Sequence, residues 1–178
     1  MKKSENVAIC GIMISLALVL SYMERLIPLQ MVIPLPGIKL GLANIVTLVA
    51  LYYLGIKSAY TILIIRCILG AIFGGGISGL LFSLSGSLLA LTIMILGSKV
   101  SFFSIFGISI LGAAAHNVGQ IIMAILLMKS IYIVGYLPYL LVIALFTGFA
   151  TGSIAAGVLR VLVKTYKNTK KHIKMEEV

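Results

Sequence analysis

The side chains able to do chemistry in this sequence are few, and most stand in apolar surroundings. Arg66 lies in the run Ala59-Tyr-Thr-Ile-Leu-Ile-Ile-Arg-Cys-Ile-Leu-Gly70, with no acid nearby in sequence. Inside a bilayer an ionisable group costs at least about 2.5–3.5 kcal/mol on insertion scales, so it faces a bundle interior or a cavity. Its planar guanidinium can pair with Glu24 or with helix-end carbonyls, or it can grip an anionic ligand group. A second constellation is Ala113-Ala-Ala-His-Asn-Val-Gly-Gln120. There His116 and Gln120 are four apart and share a helix face, with Asn117 one step around. These three can orient a ligand or bond one helix to another. A lone His with no second His, Cys or carboxylate at ligand spacing makes no metal site. The third is Pro36-Gly-Ile-Lys-Leu-Gly-Leu-Ala-Asn44, with Lys39 able to snorkel to water and Asn44 about 1.5 turns deeper.

The elements that must hold these groups follow from composition. Of 178 residues 61% are apolar, and only 14 basic and four acidic side chains are present. A soluble domain averages about 45–50% apolar and a quarter charged, so the bilayer is the natural solvent. Six apolar stretches are read at 6–23, 38–55, 58–74, 78–97, 104–128 and 136–162. Each is a continuous run without period-two alternation, which predicts helices and not barrel strands. The expected fold is therefore all-α, an integral membrane bundle of six transmembrane helices over residues 1–163 with a basic tail at 164–178. The first run follows Lys2 and Lys3 but precedes no small-residue cleavage site, so it reads as a membrane helix and not a signal peptide.

With both termini cytoplasmic, Lys2, Lys3, Lys57, Lys99, Arg160 and the lysines of 164–174 fall on the inner side, and Arg25, Lys39 and Lys129 on the outer. That bias is the usual one for a plasma-membrane protein, and it accounts for most of the formal charge of +10. The basic tail suits an anionic leaflet, and no nucleic-acid partner is expected. Residues 23–37 carry three prolines, too apolar for a solvated loop and too broken for a helix, and are expected to fold over the outer mouth. Gly74-Gly-Gly-Ile-Ser-Gly79 permits either a tight turn or close approach of backbone to a ligand.

Several activities are excluded. The acids are Glu5, Glu24, Glu176 and Glu177, and aspartate is absent, so clustered carboxylates on magnesium are unattainable. No G-x-x-x-x-G-K-[ST] phosphate loop occurs, and no carboxylate near His116 in sequence can orient it as an acid or base. Cys10 and Cys67 read as small buried hydrophobes. No catalytic group and no cofactor is expected. On this topology Arg25, Lys39, Asn44, Arg66, His116, Asn117 and Gln120 aim cationic and amide donors at one outward-opening region, which predicts a ligand with carboxylate or phosphate groups. On the first helix Ala8, Gly11 and Ser15 form a stripe of small residues, either a docking face for another helix or an internal seam.

The segments Pro36-Gly-Ile-Lys-Leu-Gly-Leu-Ala-Asn-Ile45 and His116-Asn-Val-Gly-Gln120 resemble the Gx transporter family, also labelled heptaprenyl diphosphate synthase component I, over roughly residues 6–162. That family is similar to the substrate-binding S-components of energy-coupling-factor transporters. The resemblance implies a six-helix bundle that takes up a vitamin, cofactor or isoprenoid or quinone precursor. It also implies docking on a transmembrane coupling subunit served by cytoplasmic ATPases, through a helix-one stripe that here reads Gly11-Ile-Met-Ile-Ser15. The alternative is a non-catalytic membrane subunit that anchors a polyprenyl diphosphate synthase or a quinone-linked redox assembly.

Overall fold

The computed structural model describes residues 3–24, 26 and 39–176, with backbone alone for 3 and 166–176. Arg25 and the proline-rich cover expected over the outer mouth, apart from Met23, Glu24 and Leu26, lie outside the described residues. The described chain is helical and contains no strand. Its helices are α1 (Lys3–Glu24), α2 (Asn44–Tyr53), α3 (Ile56–Gly70), α4 (Gly76–Ser98), α5 (Ile105–Met128) and α6 (Leu137–Glu176). A π-helical turn, Ala71–Gly75, joins α3 to α4, and a 3₁₀ turn, Ile131–Tyr136, precedes α6.

Four helical stretches among the described residues are long and apolar enough to cross a bilayer: Ser4–Glu24, Ile56–Ser98, Ile105–Met128 and Ile131–Thr165. The 43-residue stretch is not one rod. Its backbone leaves helical geometry at Phe73 and Gly74, and the latter takes φ 102°, with Gly76 at φ 61°. Only glycine adopts such angles without steric cost, so the Gly-rich segment is a fold-back. Tyr60 meets Thr92 (3.2 Å) and Arg66 meets Ser87, which makes α3 and α4 antiparallel neighbours.

The second apolar stretch, expected over 38–55, is helical only from Asn44 to Tyr53. Ten residues rise about 15 Å, half the hydrocarbon thickness. Instead of spanning the membrane by itself, α2 sits inside the bundle: Asn44 through Leu51 are all buried, and α2 touches each of the other five helices. The last helix runs past the expected boundary at 163, so the basic tail continues α6 through Glu176.

Large apolar side chains point outward along the whole bundle, including Ile12, Ile72, Ile77 and Phe146, each at least 70% exposed. A soluble protein does not expose apolar surface on this scale, and the protein is accordingly a membrane protein. Lipid tails are as apolar as leucine, so packing and polar contacts, more than hydrophobic burial, hold such helices together. Glycines set the closest approaches. A Cβ on Gly119 would lie 2.7 Å from the Ser85 carbonyl oxygen and 2.8 Å from Gly86 Cα, so α4 and α5 touch backbone to backbone. Between α5 and α6, a Cβ on Gly148 would lie 2.6 Å from Ile110 Cα, and Ser109 hydrogen-bonds Thr151 at 2.9 Å.

Candidate functional site

The site is built from the end of α1 upward. Glu24 is buried, and its Oε1 accepts the backbone N–H of Gly41 and that of Leu42 (3.3 Å). The Asn44 N–H closes on the Gly41 carbonyl at 2.8 Å, and Ile45 N–H on Leu42 at 3.0 Å, which forms the first turn of α2. A carboxylate therefore caps the positive end of α2, where a negative charge is favoured. Gly41 is required twice over: its φ is 85°, and a Cβ there would lie 2.9 Å from Asn44 Nδ2 and 3.2 Å from His116 Cδ2.

Next to this cap lies Gln120, fully buried on α5. Its amide oxygen accepts from Lys39 N–H (3.1 Å) and from His116 Nε2 (3.2 Å), and its NH2 donates to the Lys39 carbonyl (3.1 Å). Gln120 thus pairs with both backbone groups of Lys39. On its other side the His116 ring meets Gly86 of α4, whose backbone hydrogen-bonds it.

The two cations come from different elements. Lys39 Nζ donates to Ser83 Oγ on α4 at 2.8 Å. Arg66, only 4% exposed, donates from one terminal nitrogen to Ser21 Oγ on α1 (3.3 Å) and from the other to Ser87 Oγ on α4. Among the described residues its Nε has no partner, and neither atom of the Asn44 amide has one. Both Lys39 and Arg66 lie within electrostatic range of Glu24 and of His116. Hence the guanidinium leans on hydroxyls from two helices, while the carboxylate nearest to it is bound to backbone.

Ser21, Lys39, Arg66, Cys67, Gly70, Ala71, Gly79 and Ser83 line a cavity here. Its volume is ≈ 10 Å³, enough for about one water. Two larger hollows lie elsewhere. One, of ≈ 310 Å³, is walled by apolar residues of α1, α2 and α6; the other, of ≈ 590 Å³, lies between the start of α5 and the end of the membrane part of α6.

Of the residues singled out from sequence, Lys39, Asn44, Arg66, His116 and Gln120 meet around the α1–α2 junction. Asn117 does not join them: it turns to α6 and donates to the Leu140 carbonyl at 2.8 Å. Ala8, Gly11 and Ser15 are exposed on α1, and a Cβ on Gly11 would meet nothing within 4 Å. Among the described residues that stripe is therefore not a seam of the bundle. Residues missed from sequence are Ser21, Ser83, Ser87, Gly41 and Gly86. Ser83 and Ser87 were legible in principle, since polar residues four apart in an apolar helix mark one buried face. Gly86 lies between them because a Cβ there would stand 2.9 Å from the His116 ring.

Residues 13–158 match the family described as heptaprenyl diphosphate synthase component I. The chain belongs to that family. The match contains every described residue of the polar cluster and begins after Ala8 and Gly11. No curated protein and no solved structure matches the chain.

Proposed function

We propose that this protein is an S-component-like transport subunit, which binds a small anionic or amphipathic solute, such as a vitamin, cofactor or isoprenoid or quinone precursor, through an anionic group lodged against Arg66. The observation that carries this reading is the set of partners around the guanidinium. Both of its hydrogen bonds go to neutral hydroxyls, and among the described residues Nε has no partner. Glu24 is committed to the start of α2, so two positive side chains share one carboxylate. An excess positive charge in a low-dielectric site is costly unless an anion joins it, and a carboxylate or phosphate can take the guanidinium edge in bidentate fashion.

Lys39 would contribute charge, and Asn44, whose amide has no partner among the described residues, would fix the ligand's orientation together with His116. Gln120 holds the Lys39 backbone in place. The cavity has room for about one water, so loading requires the α1 side of the site to part from α3 and α4. In this reading the chain crosses the plasma membrane six times, α2 being part of the second crossing, with both termini cytoplasmic. A coupling subunit with cytoplasmic ATPases would dock on the exposed Ala8, Gly11 and Ser15 stripe.

The family description favours a second reading, a non-catalytic membrane subunit that anchors a polyprenyl diphosphate synthase or a quinone-linked redox assembly. With no aspartate in the sequence, the chain has no Asp pair to hold magnesium and diphosphate. Mass spectrometry of small molecules that co-purify with the full chain, compared with Arg66→Met, tests the first reading. An anionic metabolite retained by the wild type and lost from the variant, at a thermal stability reduced by only a few degrees, supports it. Equal retention in both refutes it. Pull-down separates the two readings: ATPase and coupling subunits favour transport, and a soluble Asp-rich synthase or a redox protein favours the anchor.

A further inference from the structure

About 22 Å along α5 from Gln120, at 1.5 Å per residue, the bundle carries a second feature of a different kind. The ≈ 590 Å³ groove at the start of α5 is walled by Ile105, Phe106, Ala156 and Leu159 and edged by Arg160 and Lys164. The two cations are four apart on α6 and so share one face. Among the described residues no carboxylate lines the groove, and the first turn of α5 contains no acidic residue. Ser104 caps that turn by accepting from Gly107 N–H at 3.4 Å, which leaves the N–H groups of Ile105 and Phe106 without intrahelical partners. Lys57, just inside the start of α3, and Lys99, just past the end of α4, lie at the same end of the bundle.

We infer that this groove binds one anionic phospholipid, with its phosphate between Arg160, Lys164 and the start of α5 and an acyl chain along Ile105, Phe106, Ala156 and Leu159. The charge pattern selects the occupant. A zwitterionic lipid would bring a second positive group to two cations, whereas a phosphatidylglycerol-type head brings a net negative charge to cations and helix N–H groups together. The apolar walls require a chain and not a bare anion. The basic end of the bundle also faces the anionic leaflet on the usual bias of Lys and Arg. This site is independent of the polar cluster and of its proposed solute.

The test is native mass spectrometry of the delipidated full chain with dioleoyl phosphatidylglycerol or dioleoyl phosphatidylcholine. The wild type should hold the anionic lipid at least about tenfold more tightly, given the attraction each basic residue exerts near a charged head. Arg160→Gln with Lys164→Gln should lower its retention to that of phosphatidylcholine, while Lys57→Gln should leave it unchanged. Arg160 and Lys164 are exposed, so the double variant is expected to fold, which its melting temperature checks. Equal retention of the two lipids, or an unchanged preference in the double variant, would overturn the inference. So would full competition by soluble glycerol phosphate, which would mark a simple anion site, or displacement at equimolar polyprenyl diphosphate, which would name another occupant.

Discussion

Replacing Gly119 by alanine separates two opposing effects at one helix crossing. In an open helical position alanine is favoured over glycine by about 1 kcal/mol, and Gly11, whose added Cβ would meet nothing within 4 Å, supplies that reference. At Gly119 the same methyl would stand 2.7 Å from the Ser85 carbonyl oxygen and 2.8 Å from Gly86 Cα. Both atoms are backbone, so the helices must move apart by several tenths of an ångström. Overpacking of this kind costs about 1–3 kcal/mol, against which the propensity gain is the smaller term. For a chain of this size 1 kcal/mol moves Tm by about 2–4 °C. Gly119→Ala should therefore melt about 2–12 °C below Gly11→Ala when both are followed by thermal unfolding in detergent. Gly112→Ala should fall between them, because its Cβ would meet the end of the Met94 side chain, 2.0 Å away at Cε, and a flexible thioether can withdraw. If Gly119→Ala melts with or above Gly11→Ala, the backbone contact between α4 and α5 is not a determinant of stability and the account of that crossing is wrong.

Asn117→Ala should cost about 0.6–1.7 kcal/mol, the range for an interhelical hydrogen bond in a membrane, and leave retention of a co-purified anion unchanged; a loss of retention would return Asn117 to the site. Ser87→Ala removes a hydroxyl from the buried Arg66 guanidinium and should destabilise by about 1.5–3 kcal/mol, the scale of a hydrogen bond to a charged group. Measured beside Ser85→Ala, whose hydroxyl bonds only the Phe82 carbonyl of its own helix, an equal effect would contradict that assignment. Glu24→Gln keeps an acceptor for the Gly41 and Leu42 N–H groups but removes the negative charge near Lys39 and Arg66. Its Tm should drop, and added chloride or acetate should restore part of the loss in the variant more than in the wild type; an anion-insensitive variant would argue against a shared positive field.

The fold class was legible because apolarity in six runs, with Arg66 the one charge deep inside any of them, admits no packed soluble core. Helix boundaries were less so. The second run was read as a span because hydropathy does not distinguish a helix in lipid from one enclosed by other helices; that α2 begins at Asn44 follows from the left-handed turn at Gly41 and the cap supplied by Glu24. The antiparallel hairpin of α3 and α4 was signalled by the glycine run at 74–76, although the same glycines also permitted a ligand contact.

Within the cluster, Arg66, Lys39, Asn44, His116 and Gln120 stand out from sequence alone, since charge and amides are expensive among apolar neighbours wherever the chain folds. The small-residue stripe was equally visible, but its exposure was not, because spacing along one helix carries no information on which way that face turns. The division between His116 and Gln120 on one side and Asn117 on the other came only with α6 in place, when the Leu140 carbonyl took the Asn117 amide. Likewise no residue count could foretell that Glu24 would serve the start of α2 and leave Arg66 to serine hydroxyls. Sequence determines which groups need partners inside a membrane, because the cost of burial belongs to the group itself. Tertiary structure decides who those partners are, because hydrogen bonds reach only about 3 Å and that proximity is settled by how the helices cross.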